Sequence, residues 1–414
     1  MDLARLGDAD TTTHLRLVVF QTIEKYIVKK ILERRTMRLL FVLKDLVGAL
    51  VLALLAALAW AVVLISTLIV LVWNFLCQPL EFFSTRPSNE FHRPHVPGMS
   101  SIFVQTSRIR LHALRNTNAD PTKPLMLFLH GFPESSYSWR NQLLYFQHRF
   151  TVVALDMRGF GDSDAPQRPE EYSVDLVALD VLAVIKACGY ESCVLVGHDW
   201  GGMVAWNFAA NFSRAVDALV TVCSPHPRAY QEPACFTPTQ ALRSSYFLLF
   251  ATSYLPELYL SYSRGREIRK MMLSAPMGVK NRDAITNDDV IFYIGALLRP
   301  GRLTAGLNYY RNAIFPPSVR AKRFVERTTA TVAEADHMGT KNPTGWSGPT
   351  LQIYADCDRA FDCGMFENCS ILCDESNKCV SIVKLEGCSH WAQQDQPGRV
   401  NEEIERFVDE FIVC

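Results

Sequence analysis

From Leu46 to Leu80 the chain carries no charged side chain, and Val51 to Val72 is almost wholly apolar. A run this long exceeds the ~20 residues that cross a bilayer as a helix, so it predicts one membrane anchor over residues 46–80. It is too long and too far from the N-terminus for the apolar region of a cleaved signal peptide, and it lacks the turn that two spans need. Beyond it the pattern changes to short apolar runs. Leu125–Leu129, Thr151–Leu155, Val194–Val196 and Ala218–Val222 read as buried strands, and Leu176–Ala187 reads as a helix. Buried strands in alternation with helices predict a mostly parallel, doubly wound α/β sheet. Between Pro225 and Val319 the strands stop and aromatic-rich helical segments take over, as in a lid inserted over a sheet. Strands resume at Leu351–Tyr354 and Ser381–Leu385, and Val400–Ile412 reads as a closing helix.

These patterns divide the chain into a basic leader (1–45), the anchor (46–80), a Pro-rich linker (81–100), a core in two parts (101–224 and 320–414) and the helical lid (225–319). In the leader, Thr11 to Arg38 alternates apolar and basic residues at helical spacing. That suits a helix lying on a membrane face, and equally a solvated charged helix.

Charge narrows the partners. The 42 basic and 42 acidic side chains leave a formal net charge of zero, which gives a polyanion nothing to bind and excludes nucleic acid. Lys29, Lys30, Arg34, Arg35, Arg38 and Lys44 precede the anchor, against Arg86 and Arg93 beside Glu81 and Glu90 after it. The positive-inside rule then places the N-terminus in the cytosol and the large domain in the lumen, with the endoplasmic reticulum as the expected membrane. Cys357, Cys363, Cys369, Cys373, Cys379 and Cys388 crowd one region. In an oxidising compartment such a cluster is expected to form disulfides, in preference to free thiols or a zinc site, since the paired C-x2-C spacing is missing. Asn211 and Asn368 begin N-glycosylation triplets, which arise too often by chance to decide the compartment.

The chemistry concentrates where the Val194–Val196 strand runs into Gly197-His198-Asp199-Trp200-Gly201-Gly202 and then a helix. This is the pattern of a nucleophile elbow, with Asp in place of the usual Ser. Gly197 and Gly201 leave room for the chain to reverse. A carboxylate is a poor nucleophile toward acyl carbon but a competent one toward saturated carbon, where it forms an alkyl ester. His130-Gly131-Phe132-Pro133 follows another strand, and a tight loop there can aim the Phe132 N–H at the same spot as the Trp200 N–H, as an oxyanion hole. His130 itself reads as structural. The turn Asp156–Ser163 lacks the Lys-Ser/Thr of a phosphate loop and reads as shaping the domain.

The HGFP loop, the RGFGDS turn from Arg158, the GHDWGG elbow, Ser224-Pro225-His226-Pro227 and the run Gly387–Pro397 occur in one chain order. Together they resemble the α/β-hydrolase epoxide hydrolases, in particular the single-span membrane-anchored members, over roughly residues 45–414. The resemblance implies an α/β-hydrolase fold that adds water to an epoxide, with no cofactor and no metal. It implies Asp199 as nucleophile, His390 as base and Asp358 as the acid that orients it. Asp356, two residues earlier, stays open as the fallback acid. It also implies two lid tyrosines that hydrogen-bond the epoxide oxygen: Tyr310 and Tyr246, with Tyr309 and Tyr254 as the rivals that simply pack. An epoxide leaves as an alkoxide and needs a neutral acid, whereas a halide does not. The tyrosines therefore separate this reading from its alternative, a haloalkane dehalogenase-like hydrolase. A third reading, a non-catalytic membrane-tethered hydrolase fold, would have no use for the nucleophile and base. The expected substrate is a small lipophilic epoxide, such as that of an unsaturated fatty acid. The cysteine-rich stretch after Asp358 departs from the family, which usually places an amphipathic helix there.

Overall fold

The computed structural model describes residues 54, 57–84, 93–315, 346–370 and 379–411. The leader and its amphipathic stretch, the segment 316–345, and Arg86, Glu90 and Cys373 lie outside the described residues. The chain divides into two units, Met1–Val62 and Val63–Cys414, and every candidate site residue lies in the second. Among the described residues one helix, Ala57–Cys77, is long and apolar enough to cross a membrane. Leu58, Ile65, Leu68, Ile69 and Leu76 along it are exposed, as lipid-facing side chains would be.

Eight strands form one sheet in the order β1-β2-β4-β3-β5-β6-β7-β8. They are β1 (Met99–Gln105), β2 (Arg110–Asn116), β3 (Leu125–Leu129), β4 (Thr151–Leu155), β5 (Cys193–His198), β6 (Val216–Val222), β7 (Thr350–Ala355) and β8 (Val380–Leu385). From β4 to β8 every pairing is parallel. β1 and β2 form an antiparallel pair, and β2 joins β4 antiparallel. The sheet is therefore mixed at one edge, which the apolar runs did not announce. β1 is an edge strand with only one face covered, so its residues alternate instead of forming a run. By contrast β3, β4 and β5 are buried at every position, as central parallel strands are when helices cover both faces.

Val174–Ala187 begins at Ser173, whose side chain accepts from the Leu176 N–H, and packs beside Trp200–Asn211, the helix that follows β5. Between β6 and β7 come the helices Pro238–Arg243, Tyr246–Phe250, Leu255–Leu273, Asn287–Leu297 and Arg302–Ile314. The third is broken where Ser263, Arg264 and Gly265 take left-handed angles. Tyr137 Oη donates to Asp289 at 2.8 Å, and Arg299 pairs with Asp162 at 2.9 Å, which ties these helices to the sheet domain. The closing helix starts at Pro397, three residues earlier than the pattern suggests, because Pro fits the first turn.

The expected disulfide cluster is corrected for four of its six members. Cys357, Cys363, Cys379 and Cys388 hold free thiols. They sit on a loop after β7, before a short helix, ahead of β8 and on the loop to His390, so closeness in sequence does not place their sulfurs in bonded pairs.

Candidate active site

β5 delivers Asp199 at the top of the sheet in a strained turn, with φ 50° and ψ −118°. The turn closes only because its neighbours lack side chains. A Cβ on Gly201 would stand 2.2 Å from the Leu129 carbonyl oxygen, closer than any real contact. The loop after β3 reaches the same point. A Cβ on Gly131 would stand 2.5 Å from the Asp199 Cβ, so glycine alone allows the next residue to approach. The Phe132 N–H accordingly donates to Asp199 Oδ1 at 3.0 Å. The Trp200 N–H makes no hydrogen bond to that carboxylate; the Trp200 ring packs edge-on against Tyr310, 5.0 Å between centroids.

His390, on the loop after β8, faces both expected carboxylates. Its Nδ1 lies 2.8 Å from Asp358 Oδ2, and its Nε2 lies 3.7 Å from Asp199 Oδ2, an ion-pair distance longer than a hydrogen bond. Asp358 is 1% exposed, and its other oxygen accepts the Ala360 and Phe361 N–H groups at 2.7 and 3.1 Å. Asp356 instead accepts from the Cys388 backbone at 3.3 Å, so the two acids left open by sequence are separated by what they touch. Burial alone would lower the pKa of His390; the Asp358 charge and the facing Asp199 reverse this and raise it well above that of ordinary imidazole. Burial would raise the Asp199 carboxyl, yet His390, His198 and the Phe132 N–H together hold it below the usual carboxylate range. A protonated His390 thus faces an ionised Asp199 in this array.

Tyr310 and Tyr246 come from two different helices onto this array, 6.1 Å apart between ring centroids. Burial, followed for Tyr310 by the Asp199 charge and for Tyr246 by Tyr310 and Asp199, raises both phenols far above their ordinary value, so both are neutral proton donors. Phe132, Phe247 and Phe250 pack around Tyr310 at 5.5, 4.9 and 5.1 Å and make the surroundings apolar. The rivals fall away on contacts. Tyr309 Oη is spent on the Arg158 carbonyl at 3.0 Å, and Tyr254 is 87% exposed. His130 is buried and bonded to the Gly131 carbonyl and the Met157 N–H, a structural role.

Two features were not legible in the motifs. Glu134 is buried and receives Gln393 and Gln394 at 3.0 and 2.6 Å, while His198 bridges Glu134 and the His390 carbonyl, 2.9 Å on each side. This network holds the backbone that carries the base. His198 sits inside the elbow motif and Glu134 one residue past the HGFP loop, but only the topology shows that they meet. Tyr230, on the short helical turn Pro227–Tyr230 after β6, is a third phenol near the site, half-buried and raised by desolvation and then by the charges of Asp199 and Asp358.

The fold and the Asp–His–Asp geometry define a hydrolase of the α/β-hydrolase class, and an alpha/beta hydrolase fold family model matches residues 124–397. Epoxide hydrolase 4 of Homo sapiens is 32% identical over 382 residues, 89% of this chain and 98% of that protein. Epoxide hydrolase 3 of Xenopus tropicalis is 35% identical over 312 residues, covering 75% and 77%. The crystal structure of a Bacillus megaterium epoxide hydrolase with an inhibitor superposes with a TM-score of 0.59 at 28% identity, covering 74% of this chain and 100% of that one. The chain belongs to the epoxide hydrolase family of α/β-hydrolases and is an enzyme.

Proposed function

We propose that this enzyme converts lipophilic epoxides, epoxy fatty acids among them, to vicinal diols through an alkyl ester on Asp199. The observation that carries this is the Asp199 carboxylate itself, held by the Phe132 N–H, faced by His390 and roofed by neutral tyrosines. In the first step an Asp199 oxygen attacks an epoxide carbon and the ring C–O bond breaks. The oxygen leaves with a proton from Tyr310 or Tyr246. In the second, water adds to the ester carbonyl carbon of Asp199, and His390 takes its proton. The Phe132 N–H holds the oxyanion, joined by Trp200 if its amide turns in as the charge develops. Collapse passes the second proton of the water to the departing alkoxide, which releases the diol and restores the Asp199 carboxylate beside a protonated His390. The ester is neutral. Once it forms, one of the two anions holding the proton on His390 is gone, so the imidazolium gives that proton to the tyrosinate and becomes the neutral base that hydrolysis needs.

The anchor supports lipophilic substrates. Arg266 donates to Asn74 near the end of the anchor helix at 3.0 Å, and Phe82 stacks on Tyr262 at 5.4 Å, so the end of the span and the residues just beyond it touch the lid. A lid held near the bilayer receives substrate that partitions there. The basic flank supports a cytosolic N-terminus and an enzyme domain in the lumen of the endoplasmic reticulum. A haloalkane substrate is the second reading, which the two tyrosines disfavour. Purified enzyme incubated with an epoxy fatty acid and, separately, a chloroalkane is expected to give diol and no chloride; chloride without diol would reverse the assignment.

A further inference from the structure

Cys223 directly follows β6 in a left-handed conformation, φ 45°, with its N–H on the Ile353 carbonyl at 2.8 Å. Its Sγ, a carboxylate oxygen of Asp358 and a ring nitrogen of His390 lie within 4.8 Å of one another, and all three side chains are buried. Thiolate, imidazole and carboxylate are the donor types that zinc takes, at about 2.0–2.3 Å in a tetrahedron. Nitrogen and oxygen ligands of one such ion stand roughly 3.3 Å apart. The 2.8 Å between His390 Nδ1 and Asp358 would thus open by only a fraction of an ångström. A second cluster, His112, Asp156 and Asp162, also brings donors together, but Arg93 already fills it, 2.5 and 2.9 Å from the two carboxylates.

We propose that Cys223, Asp358 and His390 form a site for a thiophilic divalent cation of the zinc class, and that its occupation switches the hydrolase off. The ion enters as the thiol proton and the His390 Nδ1 proton leave, so thiolate and carboxylate balance its two charges. It takes the oxygen and nitrogen that otherwise hold each other, and His390 loses its orientation toward Asp199. The effect on turnover rests on the reading of Asp358 and His390 as acid and base; the binding does not.

The full-length enzyme in detergent is titrated with zinc chloride and with cadmium chloride. Epoxide turnover is followed in parallel with the thiolate-to-cadmium absorption in the ultraviolet. One equivalent is expected to abolish turnover and a chelator to restore it. Cys223→Ser should need roughly a hundredfold more metal for binding and inhibition, while Cys388→Ser, the thiol on the His390 loop, should behave as wild type. Equal metal sensitivity in Cys223→Ser, or loss of binding in Cys388→Ser alone, overturns the site. If Cys223→Ser does not fold, alkylation mapping of the wild type decides: zinc should protect the Cys223 peptide, and equal labelling with and without zinc refutes it. A wild type that binds metal at Cys223 yet turns over no epoxide even when free of metal refutes the proposed function and leaves the site standing.

Discussion

His390 stands between two carboxylates, 2.8 Å from Asp358 through Nδ1 and 3.7 Å from Asp199 through Nε2, so a single ring is oriented by one acid and aimed at the other. Removing the orienting charge should slow ester hydrolysis far more than ester formation. Asp358→Asn is expected to lower the hydrolysis rate by about a thousandfold to ten-thousandfold, the cost of losing the acid in comparable triads. Stopped-flow and quenched single turnovers resolve the two steps; equal loss in both would contradict the assignment.

The same pair sets a pH dependence. Against the lowering effect of burial, Asp358 and Asp199 raise His390, and its neutral form is the base. Hydrolysis of the ester should therefore speed up as pH rises, with a midpoint above the ~6.5 of ordinary imidazole. In Asp358→Asn the midpoint should fall, because the largest raising influence is gone. The pH profile of single-turnover hydrolysis measures both, and an upward shift in the variant would be the wrong sign.

Tyr246→Phe and Tyr310→Phe keep the rings and remove the phenolic protons. Each is expected to slow alkylation by roughly tenfold to a hundredfold, and the double change nearly to abolish it. Tyr309→Phe, whose hydroxyl holds the Arg158 carbonyl, should leave alkylation near wild type. Full activity in Tyr310→Phe would remove that residue from the mechanism.

Gly131→Ala tests the approach of two loops. Its Cβ would collide with Asp199 Cβ and Oδ1 at 2.5 and 2.6 Å. Relief by displacement costs about 1–3 kcal/mol and moves the nucleophile from the Phe132 N–H, so alkylation should slow roughly tenfold to a hundredfold. An unchanged burst rate in a folded variant would show that the loop yields freely.

Topology is tested by protease treatment of sealed microsomes. The basic residues ahead of the anchor predict a protected enzyme domain. Digestion of the domain without detergent would set the charge rule aside.

Much of the sheet was legible because central parallel strands are buried on both faces and read as unbroken apolar runs: Leu125–Leu129 and Thr151–Leu155 are strands to the residue. β1 and β2 were not: β1 is an edge strand whose burial alternates, and β2, though mostly buried, carries Arg110, His112 and Arg115 and so gives no apolar run. Asp199 could be placed from sequence because an elbow needs small residues at fixed offsets. Asp358 and Asp356 could not be separated that way, as both lie on one loop and only their partners differ. The Glu134–His198 contact crosses 64 residues and follows from strand order, which no local pattern encodes.

The central claim is that Asp199 itself attacks carbon, and one turnover in heavy-oxygen water tests it most directly. With enzyme in excess, the first diol should take its new oxygen from the Asp199 carboxylate and remain mostly unlabelled, while the Asp199 peptide gains the label as the ester hydrolyses. Label appearing at once in the diol, with none in the Asp199 peptide, would mean that water attacks the epoxide and that Asp199 only removes its proton.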